Sequence, residues 1–560
     1  MGRMAQVTKC VRGRARSARL AVGGIILPVM TQPAQARISL IKPAWRAGWC
    51  TLACALALGL PVALAHGAPA STALPTLGDA ARGDLSPVME RKLGEAVMND
   101  IRRNVDYLDD DPILEYLNSF GSALVAAAPG ARGETNADYF FFAVRDPMLN
   151  AFAMPGGFIG VHSALLLAAQ TESELASVLS HEIGHVSQRH IARMIGQQKQ
   201  DMLIPLAGML LAALAARASS DAAVGVMMGS QGLALQRQLN FSRDAEREAD
   251  RVGFQIMGTG GYDTSGMVAF FQRMQSANRM YASDVVPASL QSHPLTSERI
   301  ADIQSRIRDM PQRQRVDGLE FHLVRARARV LQDETSKGRT EAQQAFEAQL
   351  TQQSRQQQAA AQYGLAYLAK KRGDLAGAQS WLNKSRATIK PTQGAVFSTG
   401  QATSDGAAIF AAMALEIKLA PAQPESVKAA ALNEAKDAHD KFPLSRGIAR
   451  QYADALIANK KLDDAAKFLR EQAQQYRSEP KLQDLLAKTY AAQGKMALQH
   501  IALAESYALG GSLPAAIEQL NIARKAGDAS FYDMAVIDAR ERELQARHRE
   551  DMKEAKKNGG

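Results

Sequence analysis

Cysteine is nearly missing from this chain: its 560 residues hold three, Cys10, Cys50 and Cys54. Beyond residue 54, disulfides cannot stabilise the fold and no thiolate can ligate a metal. Acidic residues are absent from residues 1–65, which carry nine Lys/Arg and no Asp or Glu. Of the formal charge of +10, the remainder therefore keeps 10 − 9 = +1. That excludes the basic footprint of a nucleic-acid-binding protein. Charged residues are also absent from the run Thr51–Ala65, which is short for a spanning helix, a stop-transfer anchor being its alternative reading.

Two apolar runs carry an expectation. Thr51 to Ala65 follows the last charge at Arg46 and ends in the small-x-small triplet Ala63-Leu64-Ala65. Residues 1–65 thus read as a cleaved export leader, with Met30 an alternative start, and export to a bacterial periplasm is expected. The other run, Leu203 to Ala216, contains Pro205 and Gly208 and lies between Asp201 and Arg217. A buried or interface helix is expected there. Peripheral membrane contact, as a re-entrant hairpin with Ala222–Met228, is the alternative.

What the chain does have is His181-Glu182-Ile183-Gly184-His185. Imidazoles four residues apart sit one above the other on a helix face and can grip one metal ion. The Glu beside the first His then lies next to the metal's open position, where it can take a proton from water. The flanks favour a helix: Thr171-Glu172-Ser173-Glu174 opens an apolar-periodic run through Leu175, Val178, Leu179, Ile183 and Val186.

A catalytic zinc site needs a third protein ligand. His190, five residues after His185, falls away from the His181/His185 face if the helix continues, and is expected at the surface or in support. Downstream, Glu246 and Asp250 are four apart on a helical stretch. Glu246 can bind the metal while Asp250 accepts a hydrogen bond from a ligating His ring. Glu248 points elsewhere on that helix and is expected in solvent. His293, in Ser292-His293-Pro294, is held in an extended loop. It can occupy the open position and keep the site latent, stabilise an oxyanion, or bond only to backbone. Tyr139–Val144 and Phe158–Val161 read as strands around Pro155-Gly156-Gly157, with His162 structural.

The H-E-I-G-H helix, the E-x-x-x-D helix 61 residues after His185, and Asn150-Ala151-Phe152-Ala153-Met154-Pro155-Gly156-Gly157 together resemble the gluzincins of the HtpX-like and CAAX-prenyl-protease-like group. The overall layout is most similar to periplasmic β-barrel assembly-enhancing members with a helical-repeat tail. The resemblance implies one zinc held by His181, His185 and Glu246, with Glu182 as general base. It also implies an edge strand that receives extended substrate. It implies as clients misfolded or stalled outer-membrane β-barrel proteins, and as partner the barrel-assembly machinery, reached through the repeats.

From about residue 340 the texture turns to Ala, Gln and Leu. Leu375-x-x-Ala378-x-x-x-Leu382, Leu462-x-x-Ala465-x-x-x-Leu469 and Leu513-x-x-Ala516-x-x-x-Leu520 each follow a turn and a Tyr-bearing helix (Tyr367, Tyr452, Tyr507). That is the tetratricopeptide pattern, interrupted by the Gly/Ser/Thr-rich stretch 392–406.

The expected fold is mainly α: a gluzincin-type zinc metallopeptidase domain with a small edge sheet, then a tetratricopeptide α-solenoid. The ranges are leader 1–65, linker 66–85, metallopeptidase 86–310, connecting helix 311–345, repeats 346–545 and charged tail 546–560. The expected activity is zinc metalloendopeptidase, with catalytic-site residues Glu182, Asp250 and His293. An assembly chaperone or adaptor with a mostly latent site is the alternative, and a pure scaffold has no use for Glu182 beside two spaced His.

Overall fold

The first two helices start where a side chain can satisfy their free N–H groups. Ser86 caps α1 (Pro87–Arg103), with Pro87 in the first turn, where its missing N–H costs nothing. Asp110 caps α2 (Asp111–Ala127) through a 3.2 Å bond from the Ile113 N–H. The computed structural model describes residues 85–129, 138–201, 220–280, 293, 296–308, 313, 315–351, 354–389 and 407–558. The leader 1–65, all of the linker 66–85 but its last residue, the Leu203–Ala216 run and the 392–406 stretch lie outside those residues.

Three strands follow: β1 (Phe140–Val144), β2 (Ala151–Met154) and β3 (Phe158–His162), in the order β1-β3-β2. β1 pairs with β3 in parallel, and β2 pairs with β3 antiparallel with Ala151 opposite Val161. The sequence expected β1 and β3 and read the residues of β2 as loop. β2 is the outer strand on that side, and it packs against the helix that bears His181.

After α3 (Ser163–Ala168), Thr171 caps α4 (Glu172–Ser187) by accepting from the Glu174 N–H at 3.1 Å. Leu175, Ala176, Leu179 and Ile183 are all essentially unexposed, so α4 runs through the centre of the core. Around it lie α5 (His190–Asp201), α6 (Ser220–Thr259) and α7 (Ser265–Met280). α6 takes in Ala222–Met228 as ordinary helix. α8 (Ser297–Arg308) closes this half. No helix among the described residues is long and apolar enough to cross a membrane.

Two helices, α9 (Leu319–Gln332) and α10 (Ser336–Gln349), occupy the stretch expected to hold one connecting helix. The rest is helical repeat: α11 (Arg355–Lys371), α12 (Leu375–Ile389), α13 (Ala407–Lys418), α14 (Glu425–Lys441), α15 (Arg446–Ala458), α16 (Leu462–Gln475), α17 (Pro480–Ala492), α18 (Met496–Leu509), α19 (Leu513–Lys525) and α20 (Phe531–Asn558). The Ala of each sequence pattern (Ala378, Ala465 and Ala516) is fully buried at a helix crossing, as are Leu382, Leu469 and Leu520. Each turn before them is closed by a left-handed residue, Gly373, Lys460 or Gly511. A fourth such turn, at Gly494, joins α17 to α18, although α18 lacks the Leu-x-x-Ala pattern.

One continuous apolar cluster runs from Leu108 through Ile183 and Phe321 to Ile417. The first repeats therefore share a core with the half that carries the H-E-x-x-H helix.

Candidate metal centre

The site forms where α4 and α6 lie side by side, and two glycines set how close they come. A Cβ on Gly184 would stand 3.0 Å from the Ala249 carbonyl oxygen, and one on Gly253 would stand 3.0 Å from the His181 nitrogen. Those contacts are with backbone, which cannot step aside. The close approach carries Glu246 and Asp250 of α6 up to the two imidazoles of α4.

His181, His185, Glu246 and His293 each offer one ligand atom, all within 4.8 Å of one another. The Nε2 atoms of His181 and His185 are 3.0 Å apart. Glu246 stands 3.4 Å from each of them, through Oε2 and Oε1 respectively. A tetrahedral ion about 2.0–2.1 Å from each donor requires donors about 3.3 Å apart, so this triad fits zinc. His293 adds Nδ1 at 2.9 Å from Glu246 Oε1, while its Nε2 is 3.7 Å from Glu182 Oε1. The other Glu182 oxygen, Oε2, is buried without a hydrogen-bond partner. Unsatisfied buried carboxylate oxygen is costly unless the site supplies it with something to bind.

The electrostatics suit a cation. Burial pushes the His181 imidazole down, but Asp250 and Glu246 outweigh it and push it up to about 10. Burial and the neighbouring His181 drive His185 well below the usual histidine range. Two facing imidazole nitrogens 3.0 Å apart leave a place where a metal ion would satisfy both. Burial would raise the Glu246 carboxyl, but hydrogen bonds from His181 and His293 hold it far below its ordinary range.

Asp250 stands where the sequence reading expects, its Oδ1 2.9 Å from His181 Nδ1. What the sequence reading missed is Arg299 of α8. Its Nε and Nη2 reach the two Asp250 oxygens at 2.7 and 2.8 Å, and Nη1 lies 2.8 Å from Glu246 Oε2. Despite burial, Arg299 and then His181 keep Asp250 ionised. Nothing in a single sequence marks Arg299, since it resembles any first-turn arginine of a charged helix.

Two expectations need correction. His190 takes the supporting place that was one of its two expected positions, but it does not face away from the site: it is buried, with Nδ1 2.8 Å from His185 Nδ1. The helix-face argument extrapolates α4 past its end. The chain breaks at Arg189, whose φ of 53° is left-handed, and His190 opens a new helix. Nor is Glu248 in solvent. It is buried against α5, with Oε2 3.1 Å from His190 Nε2 and 2.7 Å from Arg193 Nη1. Burial opposes its ionisation, yet His190 and Arg193 bring its carboxyl down to about 2. His162 is structural as expected, buried with Nδ1 3.2 Å from the Met148 carbonyl.

Residues 115–307 match the model of peptidase family M48. A protein of Vibrio cholerae serotype O1 is 39% identical over 257 residues, 45% of this chain and 51% of its own length. The beta-barrel assembly-enhancing protease of Escherichia coli (strain K12) is 30% identical over 490 residues, 88% of this chain and 94% of that protein. The mitochondrial metalloendopeptidase OMA1 of Schizosaccharomyces pombe is 32% identical over 161 residues, 29% of this chain and 44% of its own. The Escherichia coli match reaches past the metal centre into the helical repeats, and a match of that length decides membership: the chain belongs to peptidase family M48, and it is a zinc metalloendopeptidase.

Proposed function

We propose that this peptidase works in the bacterial periplasm, where it cuts misfolded or stalled outer-membrane β-barrel proteins and supports the assembly of the rest. The observation that carries the chemistry is Glu182, buried beside the His181, His185 and Glu246 donor atoms with one carboxylate oxygen unpaired. The client class is supported by the name of the Escherichia coli relative, matched over 94% of its length. Periplasmic residence is supported by the leader pattern of residues 1–65, followed by linker 66–85.

In this reading His181, His185 and Glu246 hold zinc, which when bound polarises the scissile carbonyl and makes water acidic enough to attack. Glu182 takes the proton from the attacking water and returns it to the leaving amine. Asp250, clamped by Arg299, holds the His181 ring in its ligating orientation. An extended client adds along β2, next to α4, through main-chain hydrogen bonds that tolerate many side chains. Residues 86–310 form the peptidase. Residues 346–545 form a tetratricopeptide array that docks the barrel-assembly machinery, followed by a charged tail at 546–560.

A second reading, a chaperone with a latent site, draws on His293. Its ring lies 2.9 Å from Glu246 and 3.7 Å from Glu182, between the base and a ligand. His293→Ala is expected to change the cleavage rate by more than tenfold, upward for a lock and downward for an oxyanion donor. An unchanged rate removes His293 from the reaction.

The deciding experiment incubates the zinc-loaded chain, freed of its leader, with an unfolded β-barrel protein and with an unfolded helical protein. Cleavage of the barrel protein supports the proposal. Cleavage of the helical protein alone rejects the client class. Cleavage of neither, with zinc bound, favours the latent chaperone.

A further inference from the structure

We propose that His190 and Glu248 form a positioning relay that fixes the proton of His185 on Nδ1 and thereby aims its Nε2 lone pair at the metal. The inference rests on the reading of His185 as a zinc ligand.

With His190 neutral, the proton count along the relay leaves one arrangement. A carboxylate only accepts hydrogen bonds, so at 3.1 Å from Glu248 Oε2 the His190 Nε2 carries hydrogen. In a neutral imidazole the other nitrogen is then an acceptor. His190 Nδ1 faces His185 Nδ1 at 2.8 Å, a separation that needs one donor and one acceptor. His185 must therefore donate from Nδ1, which leaves its Nε2 as the lone pair. That Nε2 is the atom 3.0 Å from His181 Nε2 and 3.4 Å from Glu246 Oε1.

The parts of the relay are themselves held. Arg193, three residues after His190 on α5, binds the same Glu248 oxygen at 2.7 Å. The left-handed turn at Arg189 starts α5 at His190, and the Arg189 guanidinium is anchored to Glu90 of α1 at 2.9 Å. The two ligating rings are thus backed differently. His181 meets the Asp250 carboxylate directly, whereas His185 meets a neutral imidazole that stands between it and Glu248. A carboxylate on each ring would place two further anions against the donor set, and the intervening imidazole keeps one of them back.

Two substitutions at one position separate the relay from packing. The Asn Oδ1 takes the place of the imidazole Nδ1 and can accept from His185. A Gln side chain reaches the Nε2 position, satisfying Glu248 while offering His185 nothing. Zinc affinity of the full-length chain, by competition with a chelator, is expected to fall about 10- to 100-fold in His190→Gln and to stay within about threefold of wild type in His190→Asn. Wild-type affinity in His190→Gln overturns the relay, as does an equal loss in both variants. His185→Ala is the control: if it leaves zinc affinity intact, the ligand assignment itself fails. If it abolishes binding while His190→Gln binds normally, only the relay fails. Should both His190 variants unfold, histidine-selective ¹⁵N spectra of the wild-type chain decide, since a hydrogen on His190 Nδ1 contradicts the arrangement and one on Nε2 is required by it.

Discussion

Replacing Glu182 by Gln is expected to slow cleavage of an unfolded barrel protein by about 10²–10⁴-fold while zinc stays bound. The side chains are the same size, and Glu182 lies outside the His181, His185 and Glu246 triad, so the donor set survives. What disappears is the basic oxygen. Among the described residues, Oε2 of Glu182 has no hydrogen-bond partner and Oε1 meets His293 at 3.7 Å, so neither oxygen is committed to holding the fold. A group so placed is free to take a proton and give it back, and an amide can do neither. Since a buried carboxylate gives way to a neutral group, the thermal midpoint should hold or rise. Parallel assays of zinc content and cleavage check the expectation. Cleavage that survives in the zinc-loaded variant sinks the assignment of Glu182 as base. The same variant separates the two functional readings in cells, because a latent chaperone still supports barrel assembly without Glu182 and a protease does not.

Local geometry is what the sequence makes readable. His181 and His185, and again Glu246 and Asp250, are pairs four apart within single helices, so each pair's shared face follows from 3.6 residues per turn. That the two helices meet does not follow from either pair. It depends on Gly184 and Gly253, whose lack of a side chain lets α4 and α6 approach to backbone contact, and the family resemblance had to supply the link. The errors come at helix ends and buried polar faces. The orientation expected of His190 fails because α4 does not continue through the left-handed Arg189. Glu248 was placed in solvent because a charged helix position usually is, but α5 covers it and supplies Arg193 and His190. β2 escaped because four residues are too few to display an alternating pattern. In the repeats, Ala at the crossings was legible from spacing, whereas α18 has Gln499 where its neighbours have Ala. The extent of the shared core was not legible at all, since it depends on long-range packing of α9 between the two halves.

The largest stability effect is expected not at the metal centre but at Arg327, in the middle of α9. This guanidinium is buried and is met by Asp110, the cap of α2, at 2.6 and 2.7 Å through Nε, by Glu416 of α13 at 2.6 Å through Nη2, and by the Tyr363 hydroxyl at 3.1 Å. Its Cζ also stands 4.2 Å over the Tyr367 ring, and Lys370 makes a second ion pair to Glu416. One arginine thus joins the start of α2 to the first repeats inside the continuous core. Arg327→Met keeps much of the volume and leaves Asp110 without a counter-charge, at a cost of about 3–5 kcal/mol in unfolding free energy. Burial already raises the Asp110 carboxyl, while Arg327 pulls it back, so removing the guanidinium raises it further. A carboxyl whose folded pKa exceeds its unfolded value binds protons on folding, so it loses stability as pH rises through that interval. The deficit of Arg327→Met should therefore be larger at neutral pH and shrink on acidification toward the unfolded carboxylate range. Adding Asp110→Asn, which retains the cap on α2, and Glu416→Gln should recover much of the loss, because the cost lies in unpaired charge more than in lost packing. Denaturant midpoints of the single and triple variants across pH are the measurement. A deficit that ignores pH and persists in the triple variant would mean that Arg327 acts by filling space between the two halves, and that its charges add nothing to holding them together.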